Sequence, residues 1–154
     1  MVLLVLAATV LQAGAGQGAS PQATPQQPAP AATDSSVQIA SRLLQQLGLG
    51  LKGHSQRKVL AVFDFPQMTR GMLFKEQITN FLFQTESIRL HANLMESAVD
   101  GDRATMTVEA EMELEPRNGG PHSRRSERVT FVAARNDGEW KFVDVQPRSF
   151  FSLP

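Results

Sequence analysis

The stretch that decides the fold is ATMTVEAEMEL, residues 104–114. Apolar side chains alternate there with threonine and glutamate, and this period of two is typical of a β-strand with one buried face. The other face is predicted to meet solvent or a partner. The predicted buried face consists of Ala104, Met106, Val108, Ala110, Met112 and Leu114.

Three further strands are predicted around this stretch, over residues 88–95, 128–135 and 140–145. Turn signals at Asp100-Gly101 and Asn136-Asp137-Gly138, and a long loop over 117–123, separate them. Before the last strand, the inward positions are all apolar and none of them titrates. Besides those of residues 104–114, they are Ile88, Leu90, Ala92, Leu94, Val129, Phe131 and Ala133.

The residues before the strands follow the helical period of 3.6. A first helix is predicted behind the cap candidates Asp34, Ser35 and Ser36, ended by the glycines at 48, 50 and 53. A second, capped by Ser55 and carrying Val59, Leu60, Val62 and Phe63, is predicted to stop at Pro66. A third spans about 69–85, with an apolar stripe of Met72, Leu73, Ile78, Phe81 and Leu82. Helices followed by strands predict an α+β fold, with the helices on one face of an antiparallel sheet.

The first 33 residues have a different composition from the rest. Val2–Leu11 is an apolar run too short to span a bilayer, followed by the small residues Ala13-Gly14-Ala15. This pattern predicts a signal peptide over 1–15, although no basic residue precedes the run; a buried N-terminal helix or strand is the alternative. Residues 16–33 are rich in Pro, Gln and Ala and predict a disordered linker. We therefore expect an exported bacterial protein, periplasmic or secreted, with a folded domain over 34–154 and no membrane anchor after cleavage.

Composition excludes several kinds of site. Lys and Arg total 15 and so do Asp and Glu, so the chain lacks the net positive charge that favours nucleic acid. The absence of cysteine excludes disulfides, thiolate nucleophiles and Cys-ligated metals. His54, His91 and His122 lack metal-ligand spacing, and no phosphate loop or serine-nucleophile motif is present. We expect no metal and no cofactor.

The last strands carry a family resemblance. Glu109–Leu114, and then residues 126–147 with their end DGEWKFVDVQP (137–147), resemble the nuclear transport factor 2-like (SnoaL-like) superfamily. The resemblance covers about residues 36–151. It implies initial helices enclosed by a strongly bent antiparallel sheet, a cystatin-like cone. Members include isomerases, dehydratases, epoxide hydrolases and polyketide cyclases as well as domains without known activity, so the fold does not settle the function.

Catalysis in such a cone requires an acid or base inside an apolar cavity, where burial shifts its pKa. Asp64 and Asp144 are the candidate carboxylates, and each has a structural alternative, a surface carboxylate for Asp64 and an ion-paired one for Asp144. Asp144 is predicted to point inward with Trp140 and Phe142 unless a bulge changes the register. The chain also lacks tyrosine, the oxyanion donor that ketosteroid isomerase-type sites use.

We therefore predict a non-enzymatic domain that binds a small apolar ligand or another protein; an isomerase or hydro-lyase using Asp64 or Asp144 is the alternative. The interior, either closed or holding a ligand, is predicted to be lined by Phe63, Phe81, Met106, Phe131 and Trp140. Phe150 and Phe151 are expected to close one end of it.

The outer face of the sheet is predicted to be charged. It carries an acidic row opposite basic side chains, which indicates cross-strand ion pairs or a charged homodimer face. Pairing through the sheet is common in the superfamily that the chain resembles. The row comprises Glu109, Glu111, Glu113 and Glu115, and the basic side chains are Arg89, Arg124, Arg125, Arg128 and Lys141.

Overall fold

The computed structural model describes residues 34–153, and the predicted signal peptide and linker lie outside this range. Three α-helices come first: α1 (Ser36–Lys52), α2 (Gln56–Ala61) and α3 (Gly71–Gln84). Four strands follow: β1 (Thr85–Asp100), β2 (Arg103–Pro116), β3 (Ser123–Asn136) and β4 (Glu139–Gln146). Short 3₁₀ turns lie at Phe65–Gln67 and Arg148–Phe151. None of the helices among these residues is long and apolar enough to cross a membrane.

Helix α1 begins at a capping box. The Ser35 hydroxyl accepts a hydrogen bond from the Gln38 backbone N–H, and the Gln38 side chain accepts one from the Ser35 N–H. The helix continues through Gly48 and Gly50 and ends at Gly53, so only the last of the three predicted terminators acts as one. Gly50 has a packing role instead, because a Cβ there would lie 2.9 Å from Cγ2 of Val59 on α2.

The second and third helices differ from their predicted extent. Helix α2 ends at Ala61, before Pro66, and Phe63 lies beyond it in a parallel bridge with Phe142 of β4. In α3 the predicted stripe is partly wrong, since Met72 and Leu73 are more than half exposed. Phe74 is buried instead, because Ile78, Phe81 and Leu82 follow it by four, seven and eight residues and therefore lie on the same side of the helix. That face comprises Phe74, Ile78, Phe81 and Leu82.

The sheet is antiparallel throughout, with the strand order β1-β2-β3-β4, and β1 is therefore an edge strand. The alternation in residues 104–114 is confirmed: each of its six apolar residues is buried. The predicted inward face of β1 holds only in part, because Ile88 is buried, Leu90 and Leu94 are half-buried and Ala92 is exposed. Towards the end of β1, Ser97 contacts the first residue of α1, because the Ser36 hydroxyl donates to the Ser97 carbonyl.

A register shift in β4 determines where Asp144 points. Val132 pairs with Asp144 whereas the next residue, Ala133, pairs with Phe142, so Val143 is an extra residue in β4. Before the shift Trp140 and Phe142 face inward, and after it Val145 does. Asp144 consequently points away from the interior, contrary to the regular alternation.

The core lies between the helices and the concave face of the sheet and is rich in phenylalanine. Phe74, Phe131, Phe142, Phe150 and Phe151 are at most 1% exposed. Phe150 and Phe151 are fully buried, so the prediction that they belong to the core is confirmed. The α+β prediction, with helices packed into a curved antiparallel sheet, is also confirmed.

Candidate functional site

The residues predicted to line a ligand pocket lie in the packed core. Phe63, Phe81, Met106, Phe131 and Trp140 are each at most 6% exposed. The rings of Phe131 and Phe142 have centroids 4.7 Å apart, within the range for direct aromatic contact. Of the five residues, only Trp140 lines either of the two sizeable hollows found among residues 34–153.

The first hollow, which we call the edge groove, has a volume of about 1040 Å³ and runs between α1 and β1. Six consecutive residues of β1, Arg89–Leu94, form one wall, so both faces of this edge strand contribute. One side of α1 forms the other wall, and β2 and β3 add three polar residues. The remaining lining residues are Ser41, Leu44, Gln45, Gly48, Leu49, Lys52, Glu109, Glu111 and Ser126.

The second, the Trp140 hollow, has a volume of about 570 Å³ and lies between α1, α2 and the turn that joins β3 to β4. Arg135, on the neighbouring strand, places its guanidinium carbon 5.6 Å from the centre of the indole ring. The lining residues are Arg42, Gln46, Leu49, Lys58, Ala61, Val62, Gly138, Glu139, Trp140 and Lys141. Sequence reasoning missed this hollow, because its residues come from three separate segments.

Asp144 is held in a half-buried ion pair. Its Oδ1 lies 3.1 Å from an Arg148 nitrogen and also accepts the Val145 backbone N–H, while Oδ2 accepts from the Gln146 amide. Partial burial raises the pKa of Asp144, but hydrogen bonds from Arg148, Gln146 and Val145 outweigh it and hold this pKa below its ordinary value. Such a carboxylate stays ionised, and its oxygens are engaged by Arg148, Val145 and Gln146. This matches the alternative in which Asp144 is an ion-paired structural residue.

Asp64 lies between α2 and the turn Phe65–Gln67 and is half-buried. Its backbone N–H donates to the Phe142 carbonyl at 2.8 Å, and its own carbonyl accepts from Gln67 at 3.0 Å. The backbone of Asp64 therefore helps to hold the segment after α2 against β4. Neither Asp64 nor Asp144 lines the edge groove or the Trp140 hollow, and the structure does not bring the two carboxylates into a common hollow.

The prediction that places Arg125 among the basic side chains of the outer face is wrong, because Arg125 faces inward. Strand β3 begins at Ser123 rather than at 128, and Arg125 pairs with the buried Met112, which places it on the inner face. Its guanidinium donates to the carbonyls of Ser149 and Phe150, each at 3.2 Å. Burial lowers the pKa of Arg125, opposed by the nearby Glu127. Arg125 therefore fastens the C-terminal turn to the sheet.

Contacts within the chain join several of the charged side chains on the outer face. An Arg124 nitrogen lies 2.6 Å from a Glu111 oxygen, and longer contacts join Arg89 to Glu113 at 3.9 Å and His122 to Glu115 at 3.6 Å. These side chains are largely exposed, so each pair contributes little to stability. Within the part of the chain that the structure describes, no three His, Asp or Glu side chains form a cluster able to hold a metal ion.

No known protein-family profile matches the chain, and no curated protein matches it. Solved structures do match. A nuclear transport factor 2-like superfamily protein from Salmonella enterica is 13% identical over 72% of this chain and 90% of its own, with a TM-score of 0.61. A candidate scytalone dehydratase from Novosphingobium aromaticivorans is 13% identical over 71% and 80%, with a TM-score of 0.63. A hexachlorocyclohexane dehydrochlorinase from Novosphingobium barchaimii is 16% identical over 70% and 84%, with a TM-score of 0.54.

Identities this low establish the architecture and leave the activity open. The matches support the architecture described above, with helices packed against an antiparallel sheet. This chain therefore has the nuclear transport factor 2-like fold.

Proposed function

We propose that this protein is a non-enzymatic binding domain, and that an extended segment of a partner protein binds in the edge groove. The observation that carries the proposal is the position of the groove along an edge strand. Six consecutive residues of β1 line it, so a bound segment would lie beside the strand rather than against one of its faces. Adding a strand to an exposed sheet edge is a recurrent way of binding extended peptides.

Among residues 34–153, hydrogen bonds reach the free edge of β1 only near its ends. His54 Nε2 lies 2.7 Å from the Glu86 carbonyl, and the Ser36 hydroxyl donates to the Ser97 carbonyl at 3.4 Å. Between Ile88 and Glu96, no hydrogen bond from the rest of residues 34–153 reaches the side of the strand that faces away from β2. Proteins usually shield such edges, and an unshielded one offers backbone donors and acceptors to another strand.

The groove also offers apolar contacts. Leu90 and Leu94 are half-buried, and Ala92 and Leu49 are exposed, so side chains of a bound segment could remove further apolar surface from water. The formal charges in the groove balance, with Lys52 and Arg89 against Glu109 and Glu111. We therefore expect apolar side chains to determine the preferred segment more than its net charge.

The alternative, an isomerase or hydro-lyase using Asp64 or Asp144, has less support from the geometry. It requires a carboxylate in a deep pocket, next to a second polar group that can hold the reacting oxygen. Asp144 is engaged by Arg148, and neither aspartate lines the edge groove or the Trp140 hollow. Four of the structurally similar proteins carry enzyme names, but their identity to this chain is 16% or less.

The test is a selection of displayed linear peptides against the full chain, followed by calorimetry on synthetic copies of the recovered peptides. Ala92→Glu places a charge in the groove at an exposed position, so its effect on folding should be small. We expect it to weaken binding about tenfold or more, since burying an unpaired charge in the complex costs at least about 1.4 kcal/mol.

Ala98→Glu is the matched control. It is the same substitution on the same strand, also exposed, but outside the groove. Its peptide affinity should equal that of the unmodified chain. Equal affinity of the Ala92→Glu variant, or recovery of no peptide above background, would refute binding at the edge groove.

Export completes the proposal: the predicted signal peptide and linker would deliver this domain to the periplasm or the exterior, where its partner would be found. Whether two copies of the chain pair through the sheet is a separate question, which light scattering on the full chain answers by giving the oligomeric state. The ion pairs on the outer face give no additional reason for such pairing, because they form within one chain.

A further inference from the structure

The Trp140 hollow is distinct from the edge groove and shares only Leu49 with it. Its volume of about 570 Å³ lies within the range typical of small-molecule sites, roughly 300–1000 Å³. Its accessible apolar surface comes mainly from Leu49 and Ala61, which are exposed, whereas Val62 and Trp140 are 5% and 6% exposed. The hollow can therefore hold a compact apolar group.

The charges around this surface do not balance. Three cations, Arg42, Lys58 and Lys141, line the hollow against one carboxylate, Glu139. Glu139 lies 3.5 Å from Lys141, and Arg42 lies 3.6 Å from Asp34 outside the hollow. Lys58 pairs with no carboxylate side chain of residues 34–153, and residues 1–33 contain no Asp or Glu.

We propose that the Trp140 hollow binds a small aromatic carboxylate. The ring would occupy the apolar surface of Leu49 and Ala61, and the carboxylate would meet Lys58 and Arg42. The carboxylate would pair the Lys58 ammonium, and the planar apolar ring would cover apolar surface that otherwise faces water. This inference does not depend on the edge groove, because a different set of residues carries it.

The chain provides its own reporter. Trp140 is the only tryptophan and there is no tyrosine, so emission excited at the red edge of the absorption band comes from this hollow alone. The experiment titrates the full chain with benzoate and follows the emission. Benzyl alcohol serves as the neutral counterpart and inorganic phosphate as an anion without a ring. A ligand this small is expected to bind with a Kd of roughly 1 mM.

Lys58→Glu should weaken benzoate binding about tenfold or more, because it replaces an attractive charge by a repulsive one. Lys75→Glu makes the same change on α3, away from the hollow, and should leave the affinity unchanged. Benzyl alcohol and phosphate should each bind at least several-fold more weakly than benzoate.

Three results would each overturn the proposal. They are the absence of a saturable emission change with benzoate, equal affinities of the Lys58→Glu and Lys75→Glu variants, and binding of either comparison compound as tight as that of benzoate. None of these outcomes depends on peptide binding in the edge groove.

Discussion

Phe151 packs among four other phenylalanine rings in the core, so replacing it tests whether the interior is filled. Its side chain is fully buried. Four other rings surround it, with centroid distances between 5.4 and 6.4 Å, and three of the four pairs approach edge-to-face at nearly right angles. These rings belong to Phe63, Phe74, Phe81 and Phe150. Phe151→Ala should leave a hole lined by aromatic carbon.

The expected loss in the free energy of unfolding is about 3–5 kcal/mol, the range for phenylalanine-to-alanine changes in packed cores. Up to about 1 kcal/mol of that could come from each lost ring pair. For a domain of this size the loss corresponds to a fall in Tm of about 12–20 °C. Phe83→Ala is the control, because Phe83 is 71% exposed and loses at most its contact with Arg117, worth about 1 kcal/mol or less.

The assay is urea and thermal unfolding followed by circular dichroism, repeated with benzene present. Benzene should raise the Tm of the Phe151→Ala variant, since an apolar cavity in the folded state binds it. It should leave the Tm of the unmodified protein unchanged. A loss below about 1 kcal/mol for Phe151→Ala, or an equal benzene effect on the unmodified protein, would show that the interior already contains space.

Three further predictions concern other parts of the chain. Gly50→Ala should destabilise the fold by about 1–3 kcal/mol because the new Cβ meets Val59. Gly48→Ala, with open space around it, should stabilise α1 by about 0.5–1 kcal/mol. Urea unfolding of both variants tests this, and changes of the same sign in the free energy of unfolding would contradict it. The folded-state pKa of Asp144 lies below its unfolded value, so its contribution to stability is present above about pH 3.9 and is lost as the pH falls through the folded pKa. The stability difference between the protein and Asp144→Asn should therefore shrink on acidification, and a difference independent of pH would refute the ion-pair role. Expression in a Gram-negative host should yield a periplasmic protein whose N-terminus is Gly16, and an intact cytoplasmic chain would contradict the signal peptide; mass spectrometry of the cell fractions decides.

The regular parts of the fold could be predicted because local patterns dominate them. Residues 104–114 alternate without interruption, and Ser35 caps a helix with an unbroken leucine stripe. The errors occur where packing between distant segments decides the outcome. Gly50 stays helical because α2 packs against it, and Phe74 replaces Met72 and Leu73 in the core because the axial orientation of α3 is set by its neighbours.

The candidate site was harder to predict for the same reason. One extra residue in β4 turns Asp144 outward, and nothing in DGEWKFVDVQP marks Val143 as that residue. Strand β3 starts at Ser123, five residues before the predicted strand, and this extension places Arg125 opposite the buried Met112 on the inner face. The two hollows combine helix and strand residues that are far apart in sequence, so only the folded chain brings them together.

The most direct test of the central claim is a map of backbone amide chemical shifts on adding a selected peptide to the isotopically labelled full chain. Binding at the edge of β1, outside a filled interior, predicts that the largest changes lie in residues 89–94 and along the facing side of α1. Largest changes at Met106, Phe131 and Phe151, with the edge of β1 unaffected, would contradict it.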